Sequence, residues 1–177
     1  MLAFAPVDDV QEDPTFTGTK TRCSLVSGGL MLVAEDFDSI PDIDAVVDWD
    51  VSGGVASSGL YEFAAGIDMG AVTRARITSH LLLEAINERD FWDAKIGEID
   101  TWPDVDGTLG ASVDAAVYGK LTDDNPAGSP TWGPFMRIDS AEIEARAIGQ
   151  LECRLSTDDR AFNLWLTELR VKADQVT

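Results

Sequence analysis

Acidic side chains have the greatest capacity for chemistry in this sequence, since 32 Asp and Glu residues stand against 13 Lys and Arg. Glycoside hydrolysis would need two of these carboxylates about 5–9.5 Å apart in a cleft. Most of them, however, fall in predicted turns or on the polar phase of predicted strands, where solvation is their usual state. The single histidine, His80, lies in an apolar segment without a G-x-S-x-G nucleophile motif, and we interpret it as structural. The sequence therefore indicates no catalytic residue, and we expect a protein that is not an enzyme.

One acidic segment offers a weak candidate for a metal site. The run Asp104-Val105-Asp106-Gly107 begins like a calcium-binding EF-hand loop, but Ala115 stands where that loop needs its twelfth-position glutamate. A looser calcium site could use Asp100, Asp104 and Asp106 with Glu98, although a solvated turn is the simpler interpretation. Two cysteines and one histidine are too few for a structural zinc site. We therefore expect neither a bound metal nor a cofactor.

The five tryptophans divide into two groups by their position in the pattern. Trp49 and Trp165 fall on the apolar phases of predicted strands, so we expect them in the core. Trp92, Trp102 and Trp132 lie in or beside predicted loops. A loop indole can stack on a sugar ring because its face is apolar and its edge is polar. These three residues are candidate glycan-binding residues, with a core or a subunit interface as the alternative.

Period-two alternation dominates the chain from Thr21 onward and predicts β-strands. The segment 143–155 is a clear example, with one apolar and one polar face that only Ile148 interrupts. The longest apolar stretch, 72–86, also fits a helix, but its β-branched residues favour a strand. Ser27-Gly28-Gly29 is typical of a tight hairpin turn, and Asp68-Met69-Gly70 is typical of another turn. Strands are also predicted over residues 43–51 and 131–138, and over residues 112–122, where Tyr118 and Lys120 fall on the polar phase. About eight strands with frequent turn signals predict an all-β, antiparallel, jelly-roll-like sandwich.

The first twenty residues have no such alternation. They mix prolines, a glycine, acids and single aromatic residues, a composition typical of an extended segment. We therefore predict an N-terminal arm over residues 1–20 that docks on a partner, and a sandwich domain over residues 21–177.

The net charge of −19 argues against partners that carry phosphate, because such a surface repels nucleic acid and anionic membranes. No apolar run approaches the roughly 18 residues of a membrane helix. The N-terminal segment 1–7 lacks basic residues and is too short for a secretory signal. Cys23 and Cys153 are predicted to be free thiols, with Cys153 buried in a strand and a disulfide between the two as the alternative.

Several short motifs in the second half of the chain follow a recognisable order. They are Trp92-Asp93, Ile99-Asp100-Thr101-Trp102-Pro103, Ala115-Ala116-Val117-Tyr118, Leu121-Thr122-Asp123-Asp124-Asn125-Pro126, Gly128-Ser129-Pro130-Thr131-Trp132, Ala145-Arg146-Ala147, Leu155-Ser156-Thr157-Asp158-Asp159 and Leu169-Arg170-Val171, preceded by Gly59-Leu60-Tyr61-Glu62-Phe63 and Ile67-Asp68-Met69-Gly70. This order resembles the β-rich C-terminal region of the tail-tip, host-specificity (J-type) proteins and related fibre proteins of long-tailed bacteriophages. The resemblance covers roughly residues 59–177.

The resemblance implies a virion structural protein near the adsorption end of the tail, assembled in the host cytoplasm. It implies partners among the other tail proteins and copies of the same chain, as a trimer or ring, with a contact to a host-surface glycan. The hub-forming domains of J-type proteins have no counterpart in this chain, which favours a fibre or a tip-attached protein. A carbohydrate-binding sandwich module and a minor capsid or decoration protein are the alternatives.

Overall fold

The computed structural model describes residues 4–35, 54–87, 113–159 and 162–176, which contain twelve β-strands and no helix. The strands are β1 (Phe4–Gln11), β2 (Thr19–Thr21), β3 (Cys23–Val26), β4 (Gly29–Leu32), β5 (Ala34–Glu35), β6 (Gly54–Val55), β7 (Ser58–Glu62), β8 (Ile67–Asn87), β9 (Val113–Thr122), β10 (Met136–Arg137), β11 (Ser140–Thr157) and β12 (Phe162–Val176). All their pairings are antiparallel. The prediction of an all-β antiparallel fold is confirmed.

Ten of these strands form one sheet that curls until it nearly closes, and only β5 and β6 form a separate pair. The C-terminal half of β11 pairs with β7, and β7 pairs with β2. From β2 the chain turns at Arg22, whose φ is +55°, into β3. The path then runs through β4, β12 and β8 back to β11. The sheet is therefore barrel-like, an arrangement that remains compatible with the predicted two-layer sandwich.

The β3–β4 hairpin confirms the turn predicted at Ser27-Gly28-Gly29. Val26 pairs with Gly29, so the loop consists of Ser27 and Gly28. Both residues have positive φ values, +49° and +85°, which is the geometry of the two-residue turn that suits the twist of a hairpin.

The apolar stretch 72–86 is a strand, as predicted, and belongs to the 21-residue β8. The turn predicted at Asp68-Met69-Gly70 lies inside this strand as a bulge. Asp68 pairs with Ala147 and Thr73 with Ala145, so residues 69–72 of β8 stand opposite a single residue of β11. Gly70 has a φ of +78°, which lets the backbone change direction at the bulge. Pairing between β8 and β11 continues from Thr73 onward.

Two irregularities of β11 explain why Ile148 interrupts the predicted alternation. The pairing with β8 shifts between Ala145 and Ala147, and the pairing with β9 shifts between Gly149 and Glu152. Each shift changes which side chains face inward, because successive residues of a strand point to opposite faces. Ile148, between the two shifts, is buried with 1% of its surface exposed.

The structure places residues 4–20 of the predicted N-terminal arm inside the domain. Its first part, β1, is extended as expected, but its pairing partner is β12 of the same chain. Phe16 is fully buried, and the carboxylate of Glu12 lies in the interior with 5% of the residue exposed. Short-range pattern could not reveal this arrangement, because the partners of these residues lie far along the chain.

A hydrogen-bonded cap fixes the segment 12–20 at one end of the curled sheet. The Tyr61 hydroxyl donates to Oε2 of Glu12 at 2.5 Å and accepts the Gly18 N–H at 2.8 Å. The other oxygen of Glu12 accepts the Ala64 N–H at 3.2 Å. The Phe16 ring meets the Tyr61 ring edge to face, with 5.6 Å between centroids. The cap thus joins the N-terminal segment to β7.

A single hydrophobic core fills the curled sheet. Its largest fully buried side chains come from almost every part of the described chain: Phe16, Leu30, Tyr61, Ile67, Ile77, Ile138, Ile148, Leu151, Leu155, Leu164, Leu166 and Leu169. The strand predicted over residues 43–51, with Trp49, lies outside the described residues. Of the strand predicted over 131–138, only β10 forms, pairing Met136 and Arg137 with β9. No helix long and apolar enough to cross a bilayer is found among the residues that the structure describes.

Candidate binding groove

A shallow groove of about 630 Å³ runs over the outer face of the sheet where β7, β11 and β9 lie side by side. Strand register builds it in rows across the three strands. Leu60, Arg154 and Ala116 form one row, and Ser58, Ser156 and Asp114 form the next. Because side chains on one face recur every second residue, Glu152 and Tyr118 lie in the row on the other side of Arg154. The groove is therefore formed by the register in which β7, β11 and β9 pair.

Arg154 is the central side chain of the groove. Its guanidinium lies over the Tyr118 ring, 4.0 Å from the centroid, and 5.7 Å from the centroid of Phe135. On the same strand, Oε1 of Glu152 accepts a hydrogen bond from Nε at 2.7 Å and forms an ion pair with Nη2 at 2.5 Å. Only 6% of Glu152 is exposed, whereas about half of the Arg154 side chain remains open to solvent. The guanidinium is thus held in position with one part still available to a partner.

Phe135 extends the groove beyond the edge of the sheet and is an exposed hydrophobic residue, at 38%. Met136 pairs with Gly119, so its side chain lies on the other face of the sheet from Tyr118. The Lys120 ammonium lies 4.5 Å from the Phe135 ring centroid, within the range of a cation–π interaction. Arg137 pairs across the strands with Tyr118 and forms an ion pair with Asp139. This end of the groove combines apolar surface with positive charge.

Asp139 anchors this edge of the groove. Its Oδ1 accepts the Val117 N–H at 2.9 Å, and its backbone carbonyl accepts the Ser79 N–H at 3.0 Å. The residue thereby connects β9 to β8 just before β11 begins. The ion pair with Asp139 also raises the pKa of Arg137, so this guanidinium keeps its charge.

Cations are concentrated around the groove. Arg22 and Arg154 line it, with Lys120 and Arg137 beside it, and the neighbouring carboxylates are those of Asp114, Glu152, Asp139 and of Glu62, which pairs with Glu152. Four cations against four carboxylates contrast with the whole chain, where 13 cations face 32 acids. The groove and its rim are therefore much less negative than the average surface of the protein.

Of the tryptophans predicted to bind glycans, the structure describes Trp132. Its six-membered ring packs against Gly149 of β11, where an added Cβ would lie 2.7 Å from Cζ2 and Cζ3. The residue is half-buried and lines a second, smaller depression with Leu121, Thr122 and Asp123. Trp92 and Trp102 lie outside the described residues, as do the calcium candidates Asp100, Asp104 and Asp106 with Glu98.

Two other residues singled out in the sequence have clear positions. His80 lies on an exposed part of β8, where Nδ1 is 3.3 Å from Oε2 of Glu168 across the strand pair. It is therefore a surface histidine rather than a packed one. Trp165 is half-buried and donates from Nε1 to the Val26 carbonyl at 3.3 Å, so it packs against the β3–β4 hairpin.

Both thiols are free, as predicted, and both are buried, as predicted for Cys153. Burial raises the pKa of Cys153 and of Cys23, so both remain protonated at neutral pH. Cys23 donates from Sγ to the Leu60 carbonyl at 3.2 Å. In the part of the chain that is described, no group of three His, Cys, Asp or Glu residues has the arrangement of a metal site.

None of the residues that build the groove was predicted from the sequence to be a site residue. Tyr118 and Lys120 fall on the predicted polar phase of their strand, which is consistent with an outward position. Their proximity to Arg154 and Phe135 depends on strand order and register, which one sequence does not reveal. A pattern of arginine and aromatic residues on the polar phases of two strands is the one signal that could have suggested the site.

Comparison with protein family models, with curated proteins and with solved structures finds no match to this chain. The groove is therefore interpreted from its own chemistry.

Proposed function

We propose that this chain is a structural protein of a bacteriophage tail tip or tail fibre, and that it acts by binding neighbours rather than by catalysis. The observation that carries the proposal is the position of the family resemblance in the fold. Residues 59–177 supply β8, β9, β11 and β12, which are the four longest strands of the antiparallel sheet among the described residues. The resemblance thus coincides with most of one continuous sheet.

The curled sheet supports this role through its rigidity. Each long strand is paired along both edges for part of its length, and one core fills the interior. Closure leaves few free strand edges, which limits uncontrolled association between sheets. A domain of this kind suits a particle that must keep its shape outside a cell.

The groove supports a binding role. Arginine and aromatic residues are enriched at the cores of protein interfaces, and Arg154, Tyr118 and Phe135 meet here. We propose this surface as the contact with neighbouring tail proteins.

The location of the chain in particles tests the proposal. Purified tailed particles from cells that express the gene should contain the chain by peptide mass spectrometry. Gold-labelled antibodies against it should mark one end of the tail. Absence from the particles would refute the proposal, and labelling of the head would favour a capsid decoration protein instead.

A carbohydrate-binding domain is the second candidate. The groove places aromatic rings beside hydrogen-bond donors and acceptors, a combination suited to sugar rings. A glycan array probed with the wild-type chain and with Phe135→Ala would test it, since Phe135 is an exposed aromatic residue of the groove. Binding that the substitution abolishes, together with absence from particles, would favour this candidate.

A further inference from the structure

We propose that the open edge of β3 accepts an extended, apolar segment of a different protein, which adds one strand to the sheet beside Leu25. None of the residues that line the groove belongs to β3, so this is a separate contact surface. The inference goes beyond the proposed function, because it names a second surface and the backbone geometry of its partner.

β3 is the last strand at one end of the sheet path, and among the described residues it pairs only with β4. Its turn has two residues with positive φ, a geometry in which the flanking Val26 and Gly29 exchange backbone hydrogen bonds. Such bonds alternate along an antiparallel pair, so Ser24 bonds to Met31. The N–H and C=O groups of Leu25 therefore point away from β4, toward the open side.

The hydrogen bonds of β4 agree with this pattern. The Leu32 backbone bonds to the side chain of Asn163 on β12. The next residue, Val33, donates its N–H to the Arg22 carbonyl on the opposite side at 3.1 Å. Even-numbered residues of β4 thus face β12 and odd-numbered residues face β3, as the hairpin geometry requires.

Two exposed side chains indicate what kind of partner fits this edge. Leu25 is 43% exposed and lies opposite the fully buried Leu30, so it points to the inner face of the sheet. Val26 is 42% exposed and lies opposite Gly29, where an added Cβ would overlap Nε1 of Trp165 on the outer face. A partner that lies on one face covers only one of the two residues. A strand added at the edge covers both, because its side chains alternate between the same two faces.

No charge protects the β3 edge. From Cys23 to Ala34 the sequence contains no charged residue, although 25% of the whole chain is charged. Free edges are commonly protected by charges or prolines that prevent the addition of a strand. β1 pairs only with β12 among the described residues and has this protection in Pro6, Asp8 and Asp9. The β3 edge lacks it, as a strand that accepts a partner must.

A second copy of the chain is disfavoured as the partner. Each copy carries a net charge of −19, so two copies repel. A segment of another protein with apolar side chains and basic flanks has no such repulsion to overcome. Its backbone would bond to the Leu25 N–H and C=O groups.

Nuclear magnetic resonance of the full chain tests the proposal with a synthetic peptide of alternating valine and threonine between terminal lysines. Methyl groups on every second amide nitrogen leave the peptide a single hydrogen-bonding edge, so that it cannot stack on itself. In the free chain, the Leu25 amide should exchange with solvent at least about tenfold faster than the amides of Ser24 and Val26. The peptide should bind with a dissociation constant of about 1 mM or tighter and should slow exchange at Leu25.

Two substitutions at Leu25 form a matched pair. Leu25→Pro removes the outward N–H and should raise the dissociation constant for the peptide at least about tenfold. Leu25→Val keeps the N–H and an apolar side chain, so it should leave binding unchanged. Ser24→Pro removes an N–H that bonds to β4, and it should lower the melting temperature by at least about 5 °C more than Leu25→Pro does. A peptide methylated at every amide is the control with the wild-type chain, and it should not bind.

Several results would overturn the inference. They are a Leu25 amide already protected in the free chain, no binding of the peptide, equal binding of the fully methylated peptide, and equal melting temperatures for the two proline variants. A dimer of the chain alone in sedimentation velocity that Leu25→Pro abolishes would assign the edge to a second copy instead. A chain found in tail particles whose β3 edge binds no peptide would leave the proposed function standing and remove only this inference.

Discussion

The side-chain amide of Asn163 forms the two hydrogen bonds with the Leu32 backbone that a neighbouring strand would otherwise form. Its Oδ1 accepts the Leu32 N–H at 3.0 Å, and its Nδ2 donates to the Leu32 carbonyl at 3.1 Å. The same Oδ1 accepts the Leu164 N–H at 2.8 Å. Asn163 has 3% of its surface exposed, so these bonds form away from water. One side chain thereby connects β12 to β4 at the point where backbone pairing between them is limited to Leu166 and Leu30.

Asn163→Asp should destabilise the fold, because a carboxylate would face the Leu32 carbonyl without a proton to donate. A buried unsatisfied polar group costs about 1–3 kcal/mol, and a charged one costs more. We expect the free energy of unfolding to fall by at least about 2 kcal/mol in urea titrations followed by tryptophan fluorescence. Asn125→Asp is the control, since this exposed residue only accepts the Ala127 N–H and an aspartate can do the same. Equal losses in both variants would contradict the role of Asn163.

Tyr61→Phe should weaken the cap at the end of the sheet. The substitution removes the hydroxyl that joins Glu12 to the Gly18 N–H and leaves a buried carboxylate with one fewer donor. The expected loss is about 1–3 kcal/mol in the free energy of unfolding, measured by urea titration. Tyr118→Phe removes a hydroxyl from the groove and should change stability by less than about 0.5 kcal/mol. A Tyr61→Phe variant as stable as the wild type would show that the cap is not a stabilising contact.

Gly149→Ala should destabilise the protein through Trp132. An added Cβ would overlap the indole, which must then move away from β11. Overpacking of this kind costs about 1–3 kcal/mol, and the displaced indole should change its fluorescence emission. Gly128→Ala is the control, because a Cβ there would meet its nearest neighbour, the Asn125 carbonyl, at 3.4 Å. Similar melting temperatures for the two variants would contradict the packing of Trp132 on Gly149.

Stability should fall at alkaline pH because three buried groups hold their protons more tightly when folded. Burial raises the pKa of Cys153 and Cys23 above their ordinary 9.0, and that of Tyr61 above 10.0. In the unfolded chain these groups lose protons from about pH 9 upward. The stability that these three groups contribute is thus fully present below about pH 9. It is lost as the pH rises toward their higher pKa values in the folded protein.

Unfolding free energies measured between about pH 8 and pH 10.5 test this expectation. Each fully shifted group contributes a slope of about 1.4 kcal/mol per pH unit above its unfolded pKa. Cys153→Ala should reduce the slope by about that amount, whatever its effect on stability at neutral pH. A slope that the variant leaves unchanged would show that Cys153 ionises in the folded protein as easily as in the unfolded one.

Local features of the fold could be predicted, because their signals lie within a few residues. The β3–β4 hairpin follows from Ser27-Gly28-Gly29, and the long strand β11 from its alternation. The bulges that bury Ile148 could not be predicted, since they depend on pairing with β8 and β9.

Contacts between residues far apart in the chain could not be predicted from the sequence pattern. The cap joins Glu12 to Tyr61, 49 residues later, so the segment 12–20 resembled an arm when considered alone. The groove depends on register in the same way, because Arg154 meets Tyr118 only when β11 and β9 pair at Glu152. Residue types predicted strands and faces, and only the three-dimensional pairing brought the groove residues together.

The closed path of the sheet also has a consequence for synthesis on the ribosome. The first strands, β1 and β4, and the long strand β8 all take β12 as a partner, and β12 comprises residues 162–176. A growing chain therefore carries unpaired strand edges until that last segment emerges, which favours late, concerted folding and makes the nascent protein vulnerable to aggregation. Truncation within β12 is expected to leave an insoluble product rather than a smaller stable domain.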